Sequence, residues 1–533
     1  MAKVLFINPV VRQEDVPRHV PYGIALLASI IMDKGHLVQI YDQNAWRKGP
    51  EVLKQVLVAD DWDVIAMGGI TTAYGSIKAI LKEARALQPK ATIVVGGGVL
   101  TSLPSEMMEF MPEVDIGVIG EAFVTFPEIL AMLDAGARNF SKIDGTISRG
   151  PEGKLLFGAP RGLMHDLDSL PYPAWDLFPL EEVYFKNSQV LFSEEGMLAR
   201  RRLDVNMSYG CSLICRYCYH LGIAGDMRYV EKDGKTTVEF DKPGTYTRDI
   251  RYHSPEYVVR LIKHMFDKYA IDFVGFLDEN LMTMDKYSGR TWMKEICRLW
   301  LEAGLQPTCI RDGVEHSEQC RGVHWSGTSH ATLSNPEILK TMRQAGCSHL
   351  VYGYESFSPH VMKTVGKGAT PETNMRSFFN TLTAGIRPIP NQIIGFPIED
   401  FESIYQNMDA WKTLGIVVKP LFATPYPGSE WFAVYRERIE EQYDGNLEKY
   451  ILDLGDATKI TAVISHNFNA VELLGLRELM INFDYKRIRE YEKYWRHAHD
   501  VADGAPSTIY VDPTKPKAAV AAGGGSKRHL NLL

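Results

Sequence analysis

No apolar run in the 533 residues approaches the roughly 18 needed to cross a bilayer, so no membrane span is expected. The amino terminus, Met1-Ala-Lys-Val-Leu-Phe-Ile-Asn8, runs straight into a strand pattern and shows no signal peptide. Basic excess is missing too. The formal net charge is −8, which argues against a general nucleic-acid surface, and Ala199-Arg-Arg-Arg202 is too short to change that. Seven cysteines are too few for a disulfide framework in a chain of this length. Together these absences place the protein in a reducing cytoplasm. No G-x-G-x-x-G opens the first helix, which disfavours a dinucleotide, although a bare α/β domain of this size could hold a flavin or a nucleotide. The remainder, 45% apolar and 23% charged, reads as globular, and the length suggests about two to four domains.

Against that plain background one segment stands out: Tyr209-Gly-Cys-Ser-Leu-Ile-Cys-Arg-Tyr-Cys-Tyr219, a C-x3-C-x2-C triplet of Cys211, Cys215 and Cys218. Three thiolates on one short loop can hold three irons of a cubane [4Fe-4S] cluster and leave the fourth iron open, whereas clusters that only carry electrons usually have four cysteines. A zinc site completed by His220 is the competing reading. Zinc knuckles, however, usually pair C-x2-C with a distant second half and do not normally follow a strand-like run such as Leu203–Ser208. Cys297, Cys309, Cys320 and Cys347 are scattered and read as free thiols. Cys309 and Cys320 flank a polar, histidine-containing stretch that could hold a second metal, with incidental cysteine the favoured reading.

Residues 1–140 alternate short continuous apolar runs (Val4–Ile7, Leu37–Tyr41, Val64–Met67, Thr92–Val95, Val114–Ile119) with helix-like stretches near 22–34, 50–59, 75–87 and 123–134. Runs of this kind fit strands covered on both faces and predict a doubly wound parallel-sheet α/β domain. Ligands of such sheets bind beyond the carboxyl ends of the strands. The ends here carry Asn8-Pro9, Gly68-Gly-Ile-Thr71-Thr72, Gly96-Gly97-Gly98 and Gly120-Glu121. Each glycine cluster alone could serve only a tight turn; four in register at one edge favour a ligand site. Residues 141–194 read as a linker, with a hairpin suggested by Gly145, Gly150-Pro151 and Gly153 and a stiff stretch from Asp168 to Leu177. From 195 to 430 strands near 203–208, 272–277, 322–326, 349–354, 391–396 and 418–423 alternate with helices near 254–269, 287–303, 335–345, 371–384 and 400–414. Periodicity alone gives α/β. A helical C-terminal domain follows over 431–502, its aromatics read as core by default, and 503–533, rich in Ala, Gly, Pro and Lys, reads as disordered.

The triplet, with Tyr217 before its last cysteine, resembles the signature of radical S-adenosylmethionine (SAM) enzymes. The resemblance turns the core into a partial (β/α)6 barrel with chemistry at the carboxyl ends of its strands. Later strand ends resemble the family's motifs in order: Phe276-Leu-Asp278-Glu-Asn280, Gly353-Tyr-Glu355-Ser356, Gln392-Ile-Ile-Gly395-Phe-Pro-Ile-Glu399 and Thr424-Pro-Tyr-Pro-Gly-Ser429. It implies SAM contacts by Tyr217, Asp278, Glu355, Ser356, Gly395 and Glu399. The first domain is similar to the cobalamin-binding domain that precedes many radical SAM cores, through Phe6–Pro9, Val20–Gly23, Gly35-His36, Asp42, Val95–Gly98 and Asp115–Glu121. That implies cobalamin contacts by Asn8, Pro9, Tyr22, Gly23, Gly68, Thr71, Thr72, Gly96, Gly97, Gly98, Gly120 and Glu121. There are departures. No D-x-H-x-x-G follows the first strand, so the cobalt would lack a lower histidine, as is common in this family; His19 is in that loop and reads as solvated. Residues 221–250, with an Asp-Gly turn, and 306–325 read as insertions that either shape a substrate pocket or are surface additions, and His330 stands where the family often has arginine.

The resemblance implies three cofactors, a [4Fe-4S] cluster, SAM and cobalamin, a small-molecule substrate and an external electron donor such as flavodoxin or ferredoxin. It implies a methyltransferase acting on an unactivated carbon or phosphorus centre: a deoxyadenosyl radical takes hydrogen from the substrate, and methylcobalamin delivers the methyl group. A cyclase or ring-rearranging enzyme, of the oxygen-independent magnesium-porphyrin ester cyclase type, is the alternative; a non-catalytic cobalamin or iron–sulfur sensor is another. No catalytic acid or base is legible.

Overall fold

The computed structural model describes residues 1–501 apart from 214, 220–226, 233, 241–249 and 290. The tail expected to be disordered and His220 therefore lie outside the described residues. The first sheet has seven strands, β1 Lys3–Asn8, β2 Leu37–Asp42, β3 Val64–Gly68, β4 Thr92–Gly96, β5 Ile116–Val118, β6 Thr146–Arg149 and β7 Leu155–Phe157, in the order β2-β1-β3-β4-β5-β6-β7. The first five are parallel, and β1, β3 and β4 are almost wholly buried, as their unbroken apolar runs demand. The hairpin suggested by Gly150-Pro151 adds β6 and β7 antiparallel at the far edge of this sheet.

The second sheet is wholly parallel. Its strands are β8 Arg202–Val205, β13 Phe273–Phe276, β14 His324–Ser329, β15 Cys347–Glu355, β16 Arg387–Ile394 and β17 Leu421–Phe422, each paired with the next in chain order, as in an incomplete barrel. Between β8 and β13 lie β9 Ser208–Tyr209, paired with β12 Arg251–Tyr252, and a hairpin of β10 Met227–Lys232 and β11 Lys235–Phe240. Three barrel helices start where a capping side chain precedes proline. Ser254, Asn335 and Thr370 each accept a backbone N–H of the first turn of Pro255–Tyr269, Pro336–Gln344 and Pro371–Thr383. The helix Pro255–Tyr269 then buries Val258, Leu261, Ile262 and Met265, each contributing about 1.5–3 kcal/mol.

Several contacts fasten the first domain to the rest. Ser105 donates to the Thr236 carbonyl at 2.8 Å and Lys235 pairs with Glu109 at 2.6 Å, so the described part of the 221–250 insertion packs on the first domain. Glu448 of the C-terminal helices accepts from Tyr74 at 2.5 Å and also pairs with Lys78. Among the described residues no helix is long and apolar enough to cross a membrane.

Candidate functional site

The cysteine loop leaves β8 and turns under the control of two carboxylates at the exit of β13. Asp278, buried, accepts from the Met207 amide at 3.1 Å and from the Ser208 hydroxyl; Glu279 accepts from the Gly210 amide at 3.2 Å. Burial pushes the Asp278 carboxyl up to about 7. The loop is then clamped at Arg216, whose amide donates to the Val365 carbonyl (3.2 Å), whose carbonyl accepts from the Trp431 amide (3.1 Å), and whose guanidinium pairs with Glu430 (2.7 Å). Cys211 and Cys215 are buried, and Cys218 is exposed.

Behind the loop stands a charged trio. Tyr217 donates its hydroxyl to Glu355 Oε1 at 2.7 Å, and Lys367 Nζ reaches the same oxygen at 2.5 Å and the Tyr217 oxygen at 3.3 Å. Lys367 and Glu355 are both buried. Burial alone would lower the Lys367 ammonium, but Glu355 and then Cys215 outweigh it and hold it above its ordinary value. Burial raises the Cys215 thiol, and Lys367 opposes that rise. Two buried thiols and a more exposed third beside a fixed cation suit thiolates bound to a metal cluster. Glu355 also has φ 62°, in the left-handed region, where the ladder between β15 and β16 shifts register. For a non-glycine residue this conformation costs on the order of 1–3 kcal/mol, and it turns the side chain toward Lys367. Lys367 escaped the sequence reading because a lone lysine resembles a solvated charge. Its flanks, Gly366 and Gly368, both at φ 70°, were the available signal.

At the same end of the barrel, both polar atoms of the Asn280 amide and the Thr283 hydroxyl are buried without hydrogen-bond partners among the described residues. Such groups are ordinarily satisfied by protein, water or ligand, so these are donors and acceptors a polar cofactor can use. The other expected SAM residues are engaged locally. Ser356 donates to Asn407 Oδ1 at 3.1 Å. Glu399 folds back to accept the amides of Gly395 and Phe396, and Gly395 needs its φ of 93° for that turn.

The first domain presents its strand ends beside this loop. Tyr219 bridges the two: a methyl group added at Gly98 would lie 3.8 Å from its hydroxyl, and one at Gly428 only 2.4 Å from its ring. The same side chain lies against Ser102 and Thr101. Gly68 and Gly97 are required by packing, since a Cβ at either would meet a carbonyl oxygen of Gly96 or Gly69 at 2.8 or 2.9 Å. Thr71 is buried and Thr72 half-buried in the single turn after β3, and Gly96 backs onto Val118. Gly23 is open, with nothing within 4 Å of an added Cβ, while Tyr22 is buried in the barrel-side core. Asn8 donates to Asp42 at 2.8 Å and Pro9 is buried beside Gly69. The Gly120 amide donates to Thr101 at 2.9 Å. Glu121 pairs with Arg251 of the barrel at 2.6 Å. His19 is exposed, as expected, and also bonds Asp204 of β8 at 2.6 Å. Burial would raise the Asp204 carboxyl; Arg202 and His19 outweigh this and hold it below the usual range. The histidine thus ties the first domain to the barrel.

The comparisons with known proteins agree with this layout. The B12 binding domain model matches residues 10–130 and the Radical SAM superfamily model residues 205–410. The chain is 26% identical over 410 residues to an uncharacterized methyltransferase of Pyrococcus horikoshii, covering 77% of each. It is 21% identical to the anaerobic magnesium-protoporphyrin IX monomethyl ester cyclase of Synechocystis, covering 83% of this chain and 79% of that one. In fold it resembles the radical SAM methyltransferase TsrM of Kitasatospora setae, with TM-score 0.59 and 16% identity over 82% of this chain and 76% of that one. It also resembles the cobalamin-dependent SAM radical enzyme OxsB, with TM-score 0.58 and 15% identity over 96% of this chain and 65% of that one.

Proposed function

We propose, for a chain that by its joined B12-binding and radical SAM domains belongs to the cobalamin-binding radical SAM enzymes, that the reaction is methyl transfer to an unactivated carbon or phosphorus centre of a small molecule. The cluster, SAM and cobalamin, when bound, supply radical and methyl-transfer chemistry; the protein's part is to hold and shield them. The observation that carries the reading is the Tyr219 bridge, which sets the cysteine loop against the Gly97-Gly98 edge of the first domain. A cluster on that loop and a ligand at that edge would be neighbours. The name of the Pyrococcus relative, the more similar of the two curated relatives described, supports methyl transfer.

In this reading Cys211, Cys215 and Cys218 hold the cluster. Lys367 offsets the negative charge gathered there, and Glu355 and Tyr217 fix its ammonium. Asn280 and Thr283 offer hydrogen bonds to the polar end of SAM. Asp278 and Glu279 keep the loop at its angle, and Gly395 with Glu399 shapes the turn beside the base. The strand ends of the first domain take cobalamin, with Gly23 leaving the backbone open to a large ligand. Electrons come from an external donor of the flavodoxin or ferredoxin class.

A second reading, ring cyclisation, is favoured by the cyclase relatives, whose matches cover as much of the chain as the methyltransferase match does. One assay separates the two. Reconstituted protein is given SAM and a strong reductant without oxygen, and both nucleoside products are measured by mass spectrometry. Methyl transfer predicts a burst of S-adenosylhomocysteine equal to the bound cobalamin. Deoxyadenosine with no S-adenosylhomocysteine would sink the methyltransferase reading and favour the cyclase.

A further inference from the structure

The 306–325 segment does more than lengthen the path from β13 to β14. Its neck is closed by the Thr308 amide donating to the Arg321 carbonyl at 2.7 Å and the Arg321 amide donating to Thr308 Oγ1 at 2.9 Å. Gly322, at φ 105°, fits under this neck, where an added Cβ would meet the Gln306 carbonyl at 2.5 Å. Closure brings together four side chains that the sequence spaces as C-x6-H-x3-C-x3-H: Cys309, His316, Cys320 and His324. Their ligating atoms all lie within 4.8 Å of one another.

We propose that these four residues form a second metal site, a closed tetrahedral Cys2His2 zinc site. Zn–S bonds of about 2.3 Å and Zn–N bonds of about 2.0–2.1 Å at the tetrahedral angle place a sulfur and a nitrogen about 3.6 Å apart. The structure has Cys309 Sγ at 3.4 Å from His316 Nδ1 and 3.6 Å from His324 Nε2, and Cys320 Sγ at 3.8 Å from His324 Nε2. The rings of His316 and His324 stand at 87° with centroids 4.7 Å apart, so both can aim a nitrogen at one centre.

The surroundings fit as well. The Cys309 amide donates to Cys320 Sγ at 3.2 Å, a bond that steadies a thiolate. His324 faces both sulfurs with Nε2, and its Nδ1 is buried on the far side of the ring, away from them. Cys309 and His324 are buried, while His316 and Cys320 are half-buried and border a small cavity that also touches Glu195 and Asp272, which gives an ion a way in. Two thiolates and two imidazoles balance a divalent ion. A [2Fe-2S] cluster with histidines on one iron and cysteines on the other would need the sulfurs and nitrogens farther apart than 3.4–3.8 Å. All four positions are filled by protein, so the site is structural: it pins the loop to His324, the first residue of β14. This inference is independent of the reaction proposed above.

The test uses the full chain, purified without oxygen and dialysed against a weak chelator, with zinc and iron counted by mass spectrometry. About one zinc per chain is expected in the wild type, and less than about 0.1 in a Cys309→Ser, Cys320→Ser variant, with iron unchanged between them. Because that variant could misfold, wild-type protein is also grown with cobalt replacing zinc; the visible bands of tetrahedral cobalt bound by thiolate are expected at one ion per chain. Full zinc retention in the double variant overturns the proposal. So does a Cys309–Cys320 disulfide in peptide mapping, or wild-type protein with neither zinc nor the tetrahedral cobalt spectrum.

Discussion

Cys211, Cys215 and Cys218 lie on one short loop past the carboxyl end of β8, whereas Cys309 and Cys320 converge with two histidines at the amino end of β14. Because every strand of this sheet is parallel, the two groups occupy opposite ends of one barrel. The upper group has three sulfurs and no fourth side chain of the same kind among the described residues. It borrows its electrostatics from Lys367 and Glu355, which come from a distant strand exit and the loop beyond it. The lower group is complete within 16 residues and needs no outside charge. Reactive sites are left incomplete and propped from without; structural sites are closed from within.

The sharpest way to break this comparison is to remove the upper sulfurs. A Cys211→Ala, Cys215→Ala, Cys218→Ala variant is expected to lose its iron and to form deoxyadenosine only at background, yet to keep about one zinc per chain; loss of both metals together would show that the ends are not independent. Next in size is the prop. Lys367→Met, assayed at equal iron content, is expected to slow deoxyadenosine formation by about 10–100-fold, with Lys367→Arg recovering part of it. An unchanged rate would make the lysine a packing residue. Smaller again is the bridge. Gly428→Ala drives a methyl into the Tyr219 ring and strains a φ of 93°, and is expected to weaken cobalamin retention through desalting by about tenfold while leaving iron in place. The smallest effect concerns pH. Burial raises the Glu399 carboxyl to about 8, so the fold favours its protonated form. Its contribution to stability is fully present below the ordinary carboxylate range and is lost as pH rises toward about 8. Glu399→Gln is expected to melt with wild type at low pH and roughly 2–4 °C above it past pH 8; equal melting at both pH values would remove the claim.

Much of this is legible in the sequence. The five strands of the first domain announce themselves as short apolar runs and the six of the barrel by their alternation with helices, and a capping residue before proline marks where three barrel helices begin. The cysteine triplet is legible because its spacing constrains a loop. Illegible were the side chains whose meaning depends on a partner far along the chain. Lys367 finds Glu355 and Tyr217 only after β15 is in place. His19 is solvated as its loop suggests, but its bond to Asp204 shows only once β8 is beside it. His316 and His324 look incidental until the Thr308–Arg321 neck closes. Motif matching reached Ser356 and Glu399, but it could not say that Asn407 and the Gly395 turn would claim them.

Glu355 carries a consequence for anyone who evolves this enzyme for endurance. Glycine at position 355 would relieve the left-handed backbone, worth on the order of 1–3 kcal/mol. It would also leave the buried Lys367 ammonium without its carboxylate, and removing one partner of a buried pair costs about 3–5 kcal/mol. A selection for heat resistance alone would therefore keep the glutamate, strain included, and endurance here protects the same side chain that the site uses.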